Sequence, residues 1–317
     1  MGSLAVTATA LGLGNPALAG DPFRNSNPMP IGDKTEAAFK AMFEDSDYAA
    51  AASLLEEAQA VEANEPLIYP MLALLAQYEK DYAALPGYAT QTRQAAAAIA
   101  DSQPLRSHLY SAVAEFVEGA YVLSDAGDGP IRGLGKALGK LRSFNASMAA
   151  ARKIDRDDPE LNLLQGFTDM YASAYLPLTS TDAAVEKLQK AGPSYLANWL
   201  TGLGYRILDE TDAGIAAINA GLQAQPDHAE MNYLKAQLEM QKAKQDASRL
   251  AVAQRHFDLA LARSEALPKR LVGQIFRERC INQEKMDGQD RSCTGFMKQA
   301  IQASGDSPWG PAQLPQL

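Results

Sequence analysis

The sequence predicts an all-α fold, a stack of antiparallel helical hairpins. Three observations carry the prediction. Alternating β-branched runs are nearly absent. Alanine fills 57 of the 317 positions and, with leucine, glutamine and glutamate, occupies the stretches between helix breakers; these are good helix formers. The breakers leave segments of about 10 to 16 residues joined by short turns, the spacing of helical hairpins. The chain has 29 Lys+Arg against 38 Asp+Glu, a net charge of −9 and pI ≈ 5.0. With 47% hydrophobic and 21% charged residues it is too apolar to be disordered throughout. It lacks the clustered basic footprint of a general nucleic-acid binder, so no nucleic-acid partner is expected. No unbroken apolar run reaches the roughly 18 residues of a membrane span.

The N-terminus, residues 1–19, reads as an export signal. Leu4 to Leu13 is small and apolar, Pro16 breaks it, and Ala17-Leu18-Ala19 offers small residues at both cleavage-specificity positions. No Lys or Arg precedes Arg24, so a basic n-region is missing and the signal reads as truncated. The alternative is an Ala-rich tail. Residues 20–32, with three prolines and two asparagines, are expected to be a linker.

From there the body is helical. Asp33 stands three residues before Glu36, a cap-and-acid pairing. Asp158-Pro159-Glu160 sets a proline at a first helical position with an acid behind it. Asp227 three before Glu230 repeats the arrangement, and Thr181-Asp182 and Thr211-Asp212 open two more segments. The acids Asp155, Asp157, Asp158 and Glu160 fit helix capping and lack the glycine and distal glutamate of a calcium loop.

A period emerges when the hairpins are overlaid. Tyr48-x2-Ala51-x3-Leu55-x2-Ala58, Ala184-x3-Leu188-x2-Ala191, Gly214-x3-Ile218-x2-Gly221 and Ala253-x3-Phe257-x2-Ala260 share small–large–small spacing. Such spacing lets one helix lie close against another while a single bulky side chain fills the gap. Gly166 and Gly202 supply small residues in the preceding helices, and 34 residues separate Gly202 from Ala236. Prolines follow at Pro66, Pro193, Pro226 and Pro268.

On these residues the chain resembles tetratricopeptide-repeat (TPR) proteins, most clearly over 33–66, 159–193, 195–226 and 229–268. The last stretch carries an insertion around Lys242 to Arg249. Leu105-Arg106-Ser107-His108-Leu109-Tyr110, Ile154-Asp155-Arg156-Asp157-Asp158-Pro159-Glu160-Leu161 and Tyr233-Leu234-Lys235-Ala236-Gln237 resemble stretches of exported cyanobacterial TPR-repeat proteins without assigned function. The resemblance implies one α-solenoid domain, 33–303, wound as a right-handed superhelix, with a concave wall lined by the first helix of each pair. Groove candidates then follow by helical spacing: Phe167, Tyr171, Trp199, Arg206, Tyr233 and Gln237. Aromatics with an occasional Arg are usual anchors of protein recognition, although apolar residues at this spacing also build ordinary core.

Cys280 and Cys293 lie thirteen positions apart around an Asp287-Gly288 turn dipeptide. In an exported protein an even count in one local segment predicts a disulfide joining C-terminal helices in 269–303; in the cytosol they would be two buried thiols. Residues 304–317, with Pro308, Pro311 and Pro315, are expected to be a disordered tail.

Chemistry-bearing motifs are scarce. His108, His228 and His256 sit in no metal-binding or catalytic spacing, and no G-x-S-x-G elbow occurs. No metal or cofactor is expected. Gly127 to Gly139 is glycine-rich but has no preceding strand, and Ala137 follows Lys136 where a phosphate loop needs Ser or Thr. Arg132, Lys136, Lys140 and Arg142 form a basic strip suited to anionic lipid or to simple solvation. The leading expectation is an exported scaffold, in a periplasm, thylakoid lumen or outside the cell, that binds a protein or peptide on its concave face without catalysis. The alternatives are an enzyme built on the same helices and a peripheral membrane protein using residues 132–142.

Overall fold

The computed structural model of the protein describes residues 20–173 and 180–317; the expected export signal, 1–19, lies outside them. The described chain runs through fifteen helices: α1 (Asp33–Phe43), α2 (Tyr48–Val61), α3 (Ile68–Glu79), α4 (Leu85–Ala98), α5 (Pro104–Leu123), α6 (Gly129–Arg132), α7 (Leu134–Ile154), α8 (Pro159–Ser173), α9 (Thr181–Gln189), α10 (Ser194–Ile207), α11 (Thr211–Ala224), α12 (Ala229–Lys242), α13 (Arg249–Ala260), α14 (Lys269–Asp287) and α15 (Cys293–Ala303). Among the described residues there is no β-strand, only an antiparallel bridge between Pro268 and Trp309. No described helix is long and apolar enough to cross a membrane.

Helix starts follow cap chemistry, with shifts from the sequence expectation. Asp47 accepts from Ala50 N at 2.9 Å to open α2, and Asp158 accepts from Leu161 N at 2.9 Å to open α8. Ser180, rather than Thr181, accepts from Ala183 N for α9. His228, not Asp227, caps α12 by accepting from Met231 N at 3.2 Å. At α1, Asp33 is inside the helix; the orphan N–H groups of Lys34 and Thr35 are met by the Glu62 carboxylate from the end of α2, at 2.9 Å each. Glu62 thereby joins the two helices of the first pair.

Consecutive helices pack as pairs: α1 on α2, α3 on α4, α8 on α9, α10 on α11, α12 on α13 and α14 on α15. In the middle, α5 lies between α4 and α7. The small–large–small positions form the seams. Tyr48, Ala51, Leu55, Ala58, Ala184, Leu188, Ile218, Ala253, Phe257 and Ala260 are all buried. Glycines sit at close crossings. A Cβ at Gly166 would lie 2.7 Å from Leu188 Cγ, and one at Gly202 would lie 2.5 Å from Ile218 Cγ1. Even a methyl group would force the paired helix away.

Contacts also reach far beyond sequence neighbours. The α1–α2 turn docks on the start of α12. There the Phe43 carbonyl meets His228 Nε2 at 3.1 Å, Ser46 Oγ accepts from Ala229 N at 3.1 Å, and Gln225 donates to Glu44. Arg263 reaches back to Asp47 at 2.7 Å. The segments expected to be loose are used in this closure. Residues 20–32 bury Asp21, Phe23, Arg24 and Ile31, with Phe23 edge-on to Phe39. Residues 304–317, expected to be a disordered tail, form a strap: Lys269 N donates to Pro308 O, Gly310 N to Leu267 O, and Ser264 Oγ to Pro311 O. Proline removes donors but leaves carbonyls available, and those carbonyls supply two of these three bonds.

The two cysteines are bonded, with Cα atoms 5.5 Å apart, linking α14 to the first residue of α15. A disulfide is compatible with an oxidising compartment.

Candidate functional site

The first helices α8, α10 and α12 touch one another in order, and α14 follows through hydrogen bonds to α12. This face carries all six groove candidates, and the structure divides them. Tyr233 is buried, and its hydroxyl donates to Glu278 Oε1 at 2.8 Å; Gln237 donates to Glu278 Oε2 at 2.9 Å. Both are thus committed to α14. Burial, with Glu278 beside it, raises the Tyr233 hydroxyl far above the ordinary phenol range. Trp199 is half-buried with its ring 5.8 Å from that of His228, packed against the α12 cap. Arg206 is half-buried, and its Nε is buried without a hydrogen-bond partner. Phe167 and Tyr171 pair with ring centroids 6.5 Å apart, and Tyr171 is 48% exposed. Of the six, Tyr171, on α8, is therefore the most exposed.

Two acid-centred clusters that the sequence had assigned to helix capping lie at the starts of α8 and α12. Glu160 and Glu230 occupy equivalent places. Asn162 and Asn232, two residues on, each donate to two carbonyls of the preceding turn: Arg156 and Asp158 for one, Pro226 and His228 for the other. Both acids point inward. Glu160 receives Arg24 at 2.9 Å, Arg106 at 3.2 Å and the Tyr110 hydroxyl at 2.5 Å. Arg24 also pairs with Asp21 and Asp158, and Arg106 with Glu65, each at 2.7 Å. Burial alone would lower Arg106, but Glu160, Tyr110 and Glu65 outweigh it and hold the guanidinium charged. Glu230 makes no ion pair among the described residues. It receives the hydroxyls of Tyr48 and Tyr78, the latter at 2.5 Å, and burial raises its carboxyl above the ordinary range while those two bonds draw it back. Capping acids belong at the same helical position, and the partners that turn these two inward lie 50 to 182 residues away.

Two of the three histidines are held by hydrogen bonds inside the fold. His108 is exposed on α5. Burial lowers His228 to about 4, and the neutral ring serves as a cap. His256 bonds Asn232 at 2.8 Å and is lowered to about 4 by burial, then by Lys235 and Arg255.

A further feature escaped the sequence reading. A cleft of about 740 Å³ between α7, α8 and α9 is lined by Arg152, Lys153, Arg156, Lys187 and Lys190, against Asp157 and Glu186. Lys187 pairs with Asp169 at 2.6 Å, and Lys190 with Glu186 at 3.2 Å. Arg152, Lys153 and Arg156 make no ion pair among the described residues. The cleft suits carboxylate or phosphate groups. Its cations come from two helices and a turn, so no local motif announces it.

Compared with models of protein families, with curated proteins and with solved structures, the chain has no match.

Proposed function

We propose that the protein is an exported, TPR-like helical scaffold that binds a protein or peptide on the face made by its first helices and itself catalyses no reaction. The observation that carries this is the run of adjacent first helices α8, α10 and α12, with α8 and α10 each packed closely on its own second helix at Gly166 and Gly202, which leaves Tyr171 exposed and Arg206 half-buried at one end. Tyrosine and arginine are among the residue types most enriched at energetic centres of protein interfaces. The remainder of the face, around Tyr233 and Gln237, is a rigid support tied to Glu278 rather than a contact surface. The Cys280–Cys293 bond supports an oxidising location such as a periplasm, a thylakoid lumen or the extracellular space.

Site-specific photocrosslinking in the intact cell tests the reading. A photoreactive residue at Tyr171 or Arg206 is expected to give one discrete adduct with another polypeptide. The same residue at Val61, exposed on α2, is expected to give none. Absence of an adduct at the first two positions, or equal labelling at Val61, would overturn the assignment.

A further inference from the structure

Residues 129–154 hold six of the 29 cations, Arg132, Lys136, Lys140, Arg142, Arg152 and Lys153, and none of the 38 acids. A strongly acidic protein has concentrated positive charge in one helical segment. The same segment carries apolar side chains that the fold leaves outside. Ile131, Leu134, Leu138 and Leu141 follow one another at spacings of three, four and three, which aligns them on one helical stripe. They are 89%, 55%, 47% and 49% exposed. The core does not need them: α7 buries Phe144, Met148 and Ala151 instead. Seven of the ten exposed large apolar side chains among the described residues fall on α5, on α6 and on α7, so the exposure is clustered rather than scattered.

We infer that the α6–α7 stripe is a peripheral docking surface for anionic lipid. Charge complementarity selects this occupant. Lys136 pairs with Asp128 and Lys140 with Glu115 and Glu118, while Arg132 and Arg142 make no ion pair among the described residues. At the far end of α7 the cationic surface continues into the cleft of Arg152, Lys153 and Arg156. Leucine and isoleucine side chains enter the acyl boundary while the long basic side chains extend to headgroup phosphates, the arrangement of an interfacial amphipathic helix. A second copy of the chain, paired through the same stripe, would bring an identical cationic strip against the first. A peptide would be expected to lie in a groove, and the cleft of Arg152, Lys153 and Arg156 is not lined by Ile131, Leu134, Leu138 or Leu141.

Flotation of the full chain with vesicles tests this. One set is phosphatidylcholine alone and the other an equal mixture with phosphatidylglycerol. The protein is expected to float with the mixed vesicles, to stay behind with the neutral ones and to be released by added salt. The pair Leu134→Ser/Leu138→Ser and the pair Arg132→Glu/Arg142→Glu are each expected to weaken flotation on the order of tenfold or more. Both sets of side chains lie on the surface, so thermal melts of both variants are expected to match the parent. The inference is overturned if the mixed vesicles fail to float the protein or if both variants bind like the parent. A stable dimer dissolved by the leucine pair would assign the stripe to a second copy and equally overturn it, as would saturable binding of an acidic peptide with no vesicle binding.

Discussion

The Tyr48 hydroxyl donates to Glu230 across 182 residues of chain, joining the second helix to the twelfth. Both side chains are buried, and among the described residues no cation pairs with the carboxyl. This bond, with that of Tyr78, is part of what holds the beginning of the chain against its last third. In an open repeat array each unit contacts its neighbours alone; here the first pair also seals the start of α12.

Replacing Tyr48 by Phe removes that donor and leaves Glu230 with Tyr78. The loss is expected to be about 1 to 3 kcal/mol, the cost of leaving a buried acceptor under-satisfied. Urea denaturation of the variant against Tyr82→Phe, a change on a half-buried ring outside the cluster, measures it. Equal midpoints would contradict the role assigned to the bond.

The His228 cap makes stability depend on pH. Its folded value, about 4, lies below the ordinary 6.5 because burial disfavours the charged ring. The folded state therefore binds fewer protons between those values. The contribution is complete above pH 6.5 and is lost as pH falls toward 4. At pH 5 the loss is expected to be about 2 kcal/mol. Glu230 has the opposite sign: its raised value makes the folded state gain as pH falls. His228→Asn keeps a capping side chain without the titration. Its melting temperature is expected to fall less between pH 7 and pH 5 than that of the parent, and an unchanged slope would remove His228 as the cause.

Reducing the Cys280–Cys293 bond releases a loop spanning thirteen residues. The chain-entropy account predicts a loss of about 3 kcal/mol. A thermal melt with and without reductant, repeated on Cys280→Ala/Cys293→Ala, is expected to show the decrease only in the parent. A parent melt insensitive to reductant would refute it.

Ala260 is fully buried where α13 meets its neighbours. Ala260→Trp is expected to destabilise by about 1 to 3 kcal/mol through overpacking. An unchanged melting temperature would mean that this position does not lie on a helix seam.

Much of the helix pairing was legible in the sequence because it is local. The spacing in Ala184-x3-Leu188 or Ala253-x3-Phe257 fixes which side of a helix is small, and the buried seams lie there. Caps are legible to within a residue or two: Asp158 caps as its sequence suggests, whereas His228 caps in place of the expected Asp227, histidine being a rare cap. The six groove candidates lie on α8, α10 and α12, but their exposure is not readable from the sequence. Helical spacing gives direction around one axis and says nothing of Glu278, which arrives from α14 to engage Tyr233 and Gln237.

The sequence by itself determined the helices, their pairing and the cysteines available to bridge, since each depends on residues within a few turns of one another. Only the tertiary structure decided where Glu160 and Glu230 point, that Arg24 and the C-terminal prolines are packed rather than loose, and that the Ile131–Leu141 stripe stays outside. An acid at a helix start is equally suited to water, to its own backbone or to a buried arginine. Which partner prevails depends on what the fold brings there from far along the chain, and on whether burial makes an unpaired charge too costly to leave.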